Sequence, residues 1–244
     1  MNFVFLLLTS ILISALPLLG LAFLSLNPSR LKNLINQFVA LSAGSLMGGA
    51  FIHLLPESFE LLSAELSLGL TLISFLGFLI IEKVLHWQHC HHQDCEIHSF
   101  GYMNLIGDGL HNFLDGLVLA SAFGADLSLG LAAAVAIALH EIPQEVGDFA
   151  VLLKAGFSRS QALKLNLLIA ATAIFGAVSG FALQQQIESF STYLLPIAAG
   201  GFIYIAASDL LPKLREETNQ KQFWSSFSWI IGGILVMLLL KLRS

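Results

Sequence analysis

In 244 residues the chain carries 56% hydrophobic and only 11% charged side chains, and its mean hydropathy is +0.81. Soluble globules carry about 25% charge, so an ordinary soluble domain is excluded, and lipid must cover apolar surface that one core cannot hold. A formal net charge of −5 without a basic cluster excludes a nucleic-acid partner, and two cysteines, Cys90 and Cys95, are too few for a disulfide framework.

Taken in chain order, apolar windows near the ~20 residues that cross a bilayer fall at 3–24, 34–55, 66–84, 102–122, 128–153, 163–184, 192–212 and 223–241. The first has no Lys or Arg before it and so lacks the basic region of a secretion signal; it is expected to be an ordinary first span. Turn chemistry separates the windows, as at Asn27-Pro28-Ser29 and Gly124-Ala125-Asp126. No β-barrel alternation is present, so the backbone must satisfy itself in helices. The expected fold is all-α and polytopic: eight transmembrane helices in one bundle, a single transporter-like domain over 1–244, lying in a lipid bilayer.

Charge sets the orientation. With both termini outside, the inside loops hold Arg30, Lys32, Lys83, Lys154, Arg159, Lys164, Lys213, Arg215 and Lys221, and only Lys241 and Arg243 remain outside. That segregation follows the positive-inside rule and fails for an odd number of spans. Small residues such as Gly44 and Gly48, or Gly176 and Gly180, are read as packing surfaces.

The fourth and fifth windows break the apolar pattern. His111-Asn112-Phe113-Leu114-Asp115-Gly116 lies in one, and His140-Glu141-Ile142-Pro143-Gln144-Glu145-Val146-Gly147-Asp148 in the other. Ionisable groups at membrane depth cost roughly 2.5–3.5 kcal/mol each on insertion scales and are usually functional. His111 and Asp115 share a helix face, which Asp108 joins, and His140 and Gln144 share another. Glu141, Glu145 and Asp148 form a second stripe. Pro143 removes one N–H and is expected to free a carbonyl near these ligands. Imidazoles with carboxylates and amides make the mixed N/O donor set of a first-row divalent cation. The metal candidates are His111, Asn112, Asp115, His140, Glu141 and Gln144.

A pathway is expected around them. His53 and Glu57, four apart at the outer end of the second span, are candidates for the entrance, with Ser45 two turns deeper. Glu145 and Asp148 point to the inner exit, and Asp209 needs a partner, for which Lys213 is the candidate. The stretch at about 86–100 carries His86, His89, Cys90, His91, His92, Cys95 and His98, read as a flexible cytosolic metal trap.

Over essentially its whole length the chain resembles the ZIP (Zrt-, Irt-like protein) family of divalent metal transporters, in the histidine-rich branch whose fifth span reads His-Glu-X-Pro-His-Glu. The resemblance rests on Gly-Gly-Ala-Phe-Ile-His-Leu-Leu-Pro-Glu (48–57), the two motifs above, and Ala-Ala-Gly-Gly-Phe-Ile-Tyr-Ile-Ala-Ala-Ser-Asp-Leu-Leu-Pro (198–212). It implies uptake of Zn²⁺, or of Fe²⁺, Mn²⁺ or Cd²⁺, toward the cytoplasm by a protein that is not an enzyme, with the metal as substrate and no catalytic cofactor. A homodimer is an assembly compatible with it. Gln144 departs from the pattern, since relatives often place His or Glu there; Gly49 and Lys213 stand where relatives often have acids. The sixth span has no carboxylate, which implies one metal or a weaker second one. The compact chain points to a cell membrane, the inner one in a prokaryote.

Two rivals are weighed. His140-Glu141-X-X-Gln144 mimics the His-Glu-X-X-His of an intramembrane zinc metalloprotease, with Glu141 as base. Its second histidine is missing, and Leu114-Asp115-Gly116 precedes it in the reverse of the protease order. A cation-diffusion exporter would have six spans and a soluble C-terminal domain.

Overall fold

The computed structural model describes residues 3–19, 28–87, 97–187, 189–215 and 220–243. Among the described residues the secondary structure is helical throughout, without a strand. Helix α1 (Phe3–Ser14) opens the chain, followed by α2 (Pro28–Gly48). Helix α2 passes through a wide π-helical turn (Gly49–Leu54) into α3 (Leu55–Leu61). Then come α4 (Ala64–Trp87), α5 (Ile97–Ala125), α6 (Leu127–Lys154), α7 (Arg159–Ala170) and α8 (Thr172–Gln186). Helix α9 (Phe190–Tyr204) repeats the earlier device, entering a second π-helical turn (Ile205–Leu210) before α10 (Leu211–Arg215), and α11 (Gln220–Arg243) closes the fold.

The breaks have local causes. Asp126 caps α6, its Oδ2 accepting from the backbone N–H groups of Ser128 (2.6 Å) and Leu129 (3.2 Å). Gly156 takes φ 87° in the turn after α6, a left-handed conformation that favours glycine. Ser158 and Gln161 then form a reciprocal capping box that starts α7.

Among the described residues six stretches are long and apolar enough to cross a membrane: Asn33–Leu61, Ala64–Ile81, Leu127–Leu153, Arg159–Gln186, Phe190–Ser208 and Gln220–Leu242. Phe3–Ser14 is a shorter apolar helix. Helix α5 is not among the six, and it is the helix that carries Asp108, His111, Asn112 and Asp115. These polar groups lower its hydropathy. The outward faces of α4 and α11 are rows of exposed aliphatics, with Ile73 67% and Leu242 74% exposed. Water would not tolerate such faces at this scale, whereas lipid does.

Lipid is as apolar as leucine, so helices here associate by close packing rather than by the hydrophobic effect. Glycine makes that possible in three pairs. A Cβ on Gly44 or Gly233 would strike the facing backbone of α11 or α2, at Ile230 O and Leu41 O. A Cβ on Gly116 or Gly176 would strike Ala173 O or Phe113 O across the α5–α8 contact. Gly200 of α9 abuts Thr71 O of α4 in the same way. Hydroxyls add ties: Thr71 Oγ1 donates to Pro196 O (3.1 Å) and Ser74 Oγ to Ile197 O (2.6 Å). The main core, around Leu46, Leu119, Ile137, Leu195 and Phe202, is shared by α2, α5, α6 and α9.

Candidate metal centre

Helices α5 and α6 pack side by side, and their polar residues meet in the buried interior. His111 and Asp115, one turn apart on α5, face His140 and Glu141 on α6, and one donor atom from each falls within 4.8 Å of the others. The two imidazole Nε2 atoms lie 3.1 Å apart. Asp115 Oδ2 is 3.1 Å from His140 Nε2 and 3.8 Å from His111 Nε2, and Glu141 Oε1 is 3.3 Å and 3.5 Å from the same two atoms. A tetrahedral ion with ligands at 2.0–2.1 Å has ligand–ligand edges of about 3.3–3.4 Å. The cluster already has nearly those dimensions.

The protonation pattern is set from outside the cluster. His140 Nδ1 lies 3.2 Å from Ala136 O, one turn back on its own helix. A carbonyl can only accept, so Nδ1 carries the proton and Nε2 turns its lone pair to the cluster, as a neighbouring carbonyl fixes a metal-binding histidine. Asp115 Oδ2 and Glu141 Oε1 accept no hydrogen bond. A buried acceptor without a donor costs about 1–3 kcal/mol. A cation placed among these four atoms satisfies them together.

One turn away, Asn112 Nδ2 donates to Asp108 Oδ1 (2.9 Å) and to Asp108 O (3.2 Å), and Gln144 Nε2 donates to the same Oδ1 (3.1 Å). Both expected amide ligands thus turn their nitrogens to Asp108. Asn112 Oδ1 is left without a donor. Glu145 is buried, and its Oε2 accepts from Asn166 Nδ2 (3.1 Å), which also donates to Glu145 O (3.2 Å). Asn166 on α7 is absent from the sequence-derived set. A lone amide in the run Leu165-Asn166-Leu167-Leu168 is its signal, by the same argument of membrane cost.

The carbonyl freed by Pro143 is that of Leu139, four residues back, and it is not a ligand. Ser42 Oγ on α2 lies 2.5 Å from it and 2.6 Å from Phe38 O, so a hydroxyl from another helix takes the orphan. His53, the entrance candidate, is 2% exposed, with Nε2 2.9 Å from Met237 O of α11. Ser45 is buried, its Oγ donating to Ser42 O (3.0 Å) against the α2–α11 contact. Glu57 is half-buried on α3, and Asp148 half-buried on α6.

The expected pairing of Asp209 with Lys213 involves side chains outside the described residues, although Asp209 lies in the second π-helical turn. The metal trap expected at about 86–100 overlaps helix at both ends, because α4 extends to Trp87 and α5 begins at Ile97. His86 and His98 are in those helices with their side chains outside the described residues, as are His89, Cys90, His91, His92 and Cys95 altogether.

A buried N/O cluster between two helices, in a largely apolar chain that is helical among its described residues, is the arrangement expected of a metal-handling membrane protein. A sequence model of the ZIP Zinc transporter family matches residues 3–99 and 87–241. Zinc transporter ZIP13 of Pongo abelii is 36% identical over 225 residues, covering 85% of this chain and 67% of its own length. The Mus musculus protein of that name is 34% identical over 256 residues, covering 85% and 70%. Zinc transporter ZIP10 of Danio rerio is 44% identical over 122 residues, covering 50% of this chain and 14% of itself. The chain belongs to the ZIP zinc transporter family. These relatives are vertebrate proteins and lend no support to a prokaryotic inner membrane.

Proposed function

We propose that this chain carries a divalent cation, zinc first, across its membrane toward the cytoplasm, and that His111, Asp115, His140 and Glu141 hold the ion between α5 and α6. The observation that carries the reading is the convergence of these four donor atoms within 4.8 Å at dimensions suited to a tetrahedral ion. Kinship with zinc transporters supports zinc as the cargo. Asn112 and Gln144 complete the surroundings by steering Asp108, and Asn112 Oδ1 keeps its lone pairs unused.

In this reading α1 and α5 also cross the bilayer. That gives eight spans with both termini outside, an arrangement supported by the segregation of basic residues. The ion sheds water on entering, because the cluster lies deep among buried side chains, and mixed N/O ligation leaves it exchangeable. Asp108, Glu145 and Asp148 lie on the inward side of the cluster and receive the ion next. No nucleotide site is required: movement follows the metal gradient or a coupled ion.

The protease alternative finds no support. Glu141, its would-be base, is one of the four converging donors, and Gln144 donates to Asp108 instead of presenting a second imidazole. Zinc flux into proteoliposomes tests the proposal. His111→Ala and Glu141→Ala should each abolish uptake with the protein present at normal amount; normal uptake by both variants rejects the site.

A further inference from the structure

A second tie joins α5 to α6 beside the cluster. Asp108, 6% exposed on α5, turns Oδ1 to two amides at once: Asn112 Nδ2 of its own helix (2.9 Å) and Gln144 Nε2 of α6 (3.1 Å). Asp108 lies three residues before His111, Asn112 directly follows it, and Gln144 lies four after His140, so each member is within about one turn of a cluster residue. The backbone under the tie is held from the next two helices. Thr172 Oγ1, where α8 starts, lies 2.8 Å from Gly109 O, and Asn166 Nδ2 of α7 donates to Glu145 O at 3.2 Å. Both ends of the Asp108–Gln144 bond are therefore fixed against neighbouring helices.

A carboxamide has a donor end and an acceptor end of nearly the same size, so packing does not choose between them. Asp108 Oδ1 receives both N–H groups and so draws the nitrogen of each amide to itself. On Asn112 the oxygen at the other end is buried without a donor. The tie thus outweighs the loss of a partner there. The cluster needs such a brace. His140 Nε2, Asp115 Oδ2 and Glu141 Oε1 are all acceptors. Acceptors gathered within 4.8 Å repel one another until an ion arrives, so their approach is imposed by packing and by ties outside the cluster. A site assembled in advance binds more tightly than one the ion must gather.

We infer that Asp108 is a positioning residue for the cation site: through Asn112 and Gln144 it holds α5 and α6 in the register at which His111 and Asp115 meet His140 and Glu141. It is not one of the four converging donors and acts through the two amides. The inference rests on the transport reading, which supplies the site, and adds what keeps that site assembled between one ion and the next. The role belongs to Oδ1 as an acceptor and needs no charge on Asp108. That separates it from attraction of a cation by the carboxylate.

Cobalt tests this, because Co²⁺ absorbs visible light strongly in a tetrahedral site and weakly in an octahedral one. The full chain, purified in detergent, is titrated with Co²⁺ and, in competition, with Zn²⁺. Asp108→Leu and Gln144→Leu should each weaken zinc by about tenfold or more, the scale for groups that orient metal ligands, and should reduce the tetrahedral cobalt band. Gln144 is half-buried, so Gln144→Leu carries the test if Asp108→Leu does not accumulate. Asp108→Asn keeps an oxygen where Oδ1 stands and should hold zinc within about threefold of wild type, with the band intact. The double variant Asp108→Leu/Gln144→Leu should lose no more than the worse single one, because the two residues form one tie. Wild-type affinity and band in Asp108→Leu or Gln144→Leu overturn the inference. So does Asp108→Asn falling as far as Asp108→Leu, or losses that add in the double variant; all of these leave the four-donor site standing. An unchanged band in His111→Ala instead shows the site itself to be misassigned, and the positioning role falls with it.

Discussion

The hydroxyl of Ser42 on α2 sits 2.5 Å from the carbonyl of Leu139 on α6, the group that Pro143 deprives of its helical N–H. One turn of backbone next to His140 is therefore completed by a side chain from another helix. Helix α6 tolerates its proline because α2 supplies the missing donor.

Removing that donor has a definite cost. Ser42→Ala should destabilise the protein by about 1–3 kcal/mol, the range for a buried acceptor left unpaired. Pro143→Ala restores an N–H at the right place, so the double variant should lose less than the sum of the two. A double-mutant cycle of thermal unfolding in detergent reads the difference; strict additivity would show that the contact contributes nothing.

Glycine substitutions should separate by helix pair. Gly116→Ala and Gly176→Ala place a methyl against the backbone across the α5–α8 contact, where neither chain can yield. A penalty of at least about 1–3 kcal/mol is expected from such overpacking, with lowered zinc uptake because α5 carries half of the cluster. Gly69→Ala and Gly77→Ala on α4 meet nothing within 4 Å and should be neutral or slightly stabilising. Melting temperatures of the four variants decide it.

His53 is expected to act as a tie between helices. His53→Ala should lower thermal stability through loss of its bond to Met237 O, while zinc affinity measured by equilibrium binding stays within about twofold of wild type. A tenfold loss of affinity with unchanged stability would restore it to the ion pathway.

Protons compete with the metal at every donor of the cluster. Binding requires both Nε2 lone pairs and both carboxylates free, so zinc entry releases any proton held there. Affinity should therefore rise with pH and fall on acidification. Zinc titrations at several pH values, with proton release measured in two buffers of different ionisation enthalpy, test the sign.

The four central donors were legible because helical spacing declares them: His111 and Asp115 are one turn apart, and His140 and Glu141 interrupt an otherwise apolar run. Seven of the eight apolar windows overlie described helix, with helix ends a few residues wider at most boundaries; the first, 3–24, is helical over Phe3–Ser14 and runs on outside the described residues. What stayed hidden depends on contacts between distant segments. Asn166 meets Glu145 across 21 positions and Ser42 meets Leu139 across 97, and no periodicity encodes either pairing. The bond between His53 and Met237 O likewise spans 184 positions, and only the packing of α11 shows it.

The wide turn at Gly49–Leu54 changes which neighbours one helix can address. Before it, Gly44 and Gly48 are pressed to α11; beyond it, Ser58 offers its carbonyl to Ser67 of α4 at 3.2 Å. A surplus residue in one coil rotates everything downstream by about 100° about the axis. The second wide turn stands before the same Leu-Leu-Pro tripeptide, at 210–212 as at 54–56. A single rod thereby serves two partners on different sides, and excising one residue from either coil would swing its far end away from the partner it now meets.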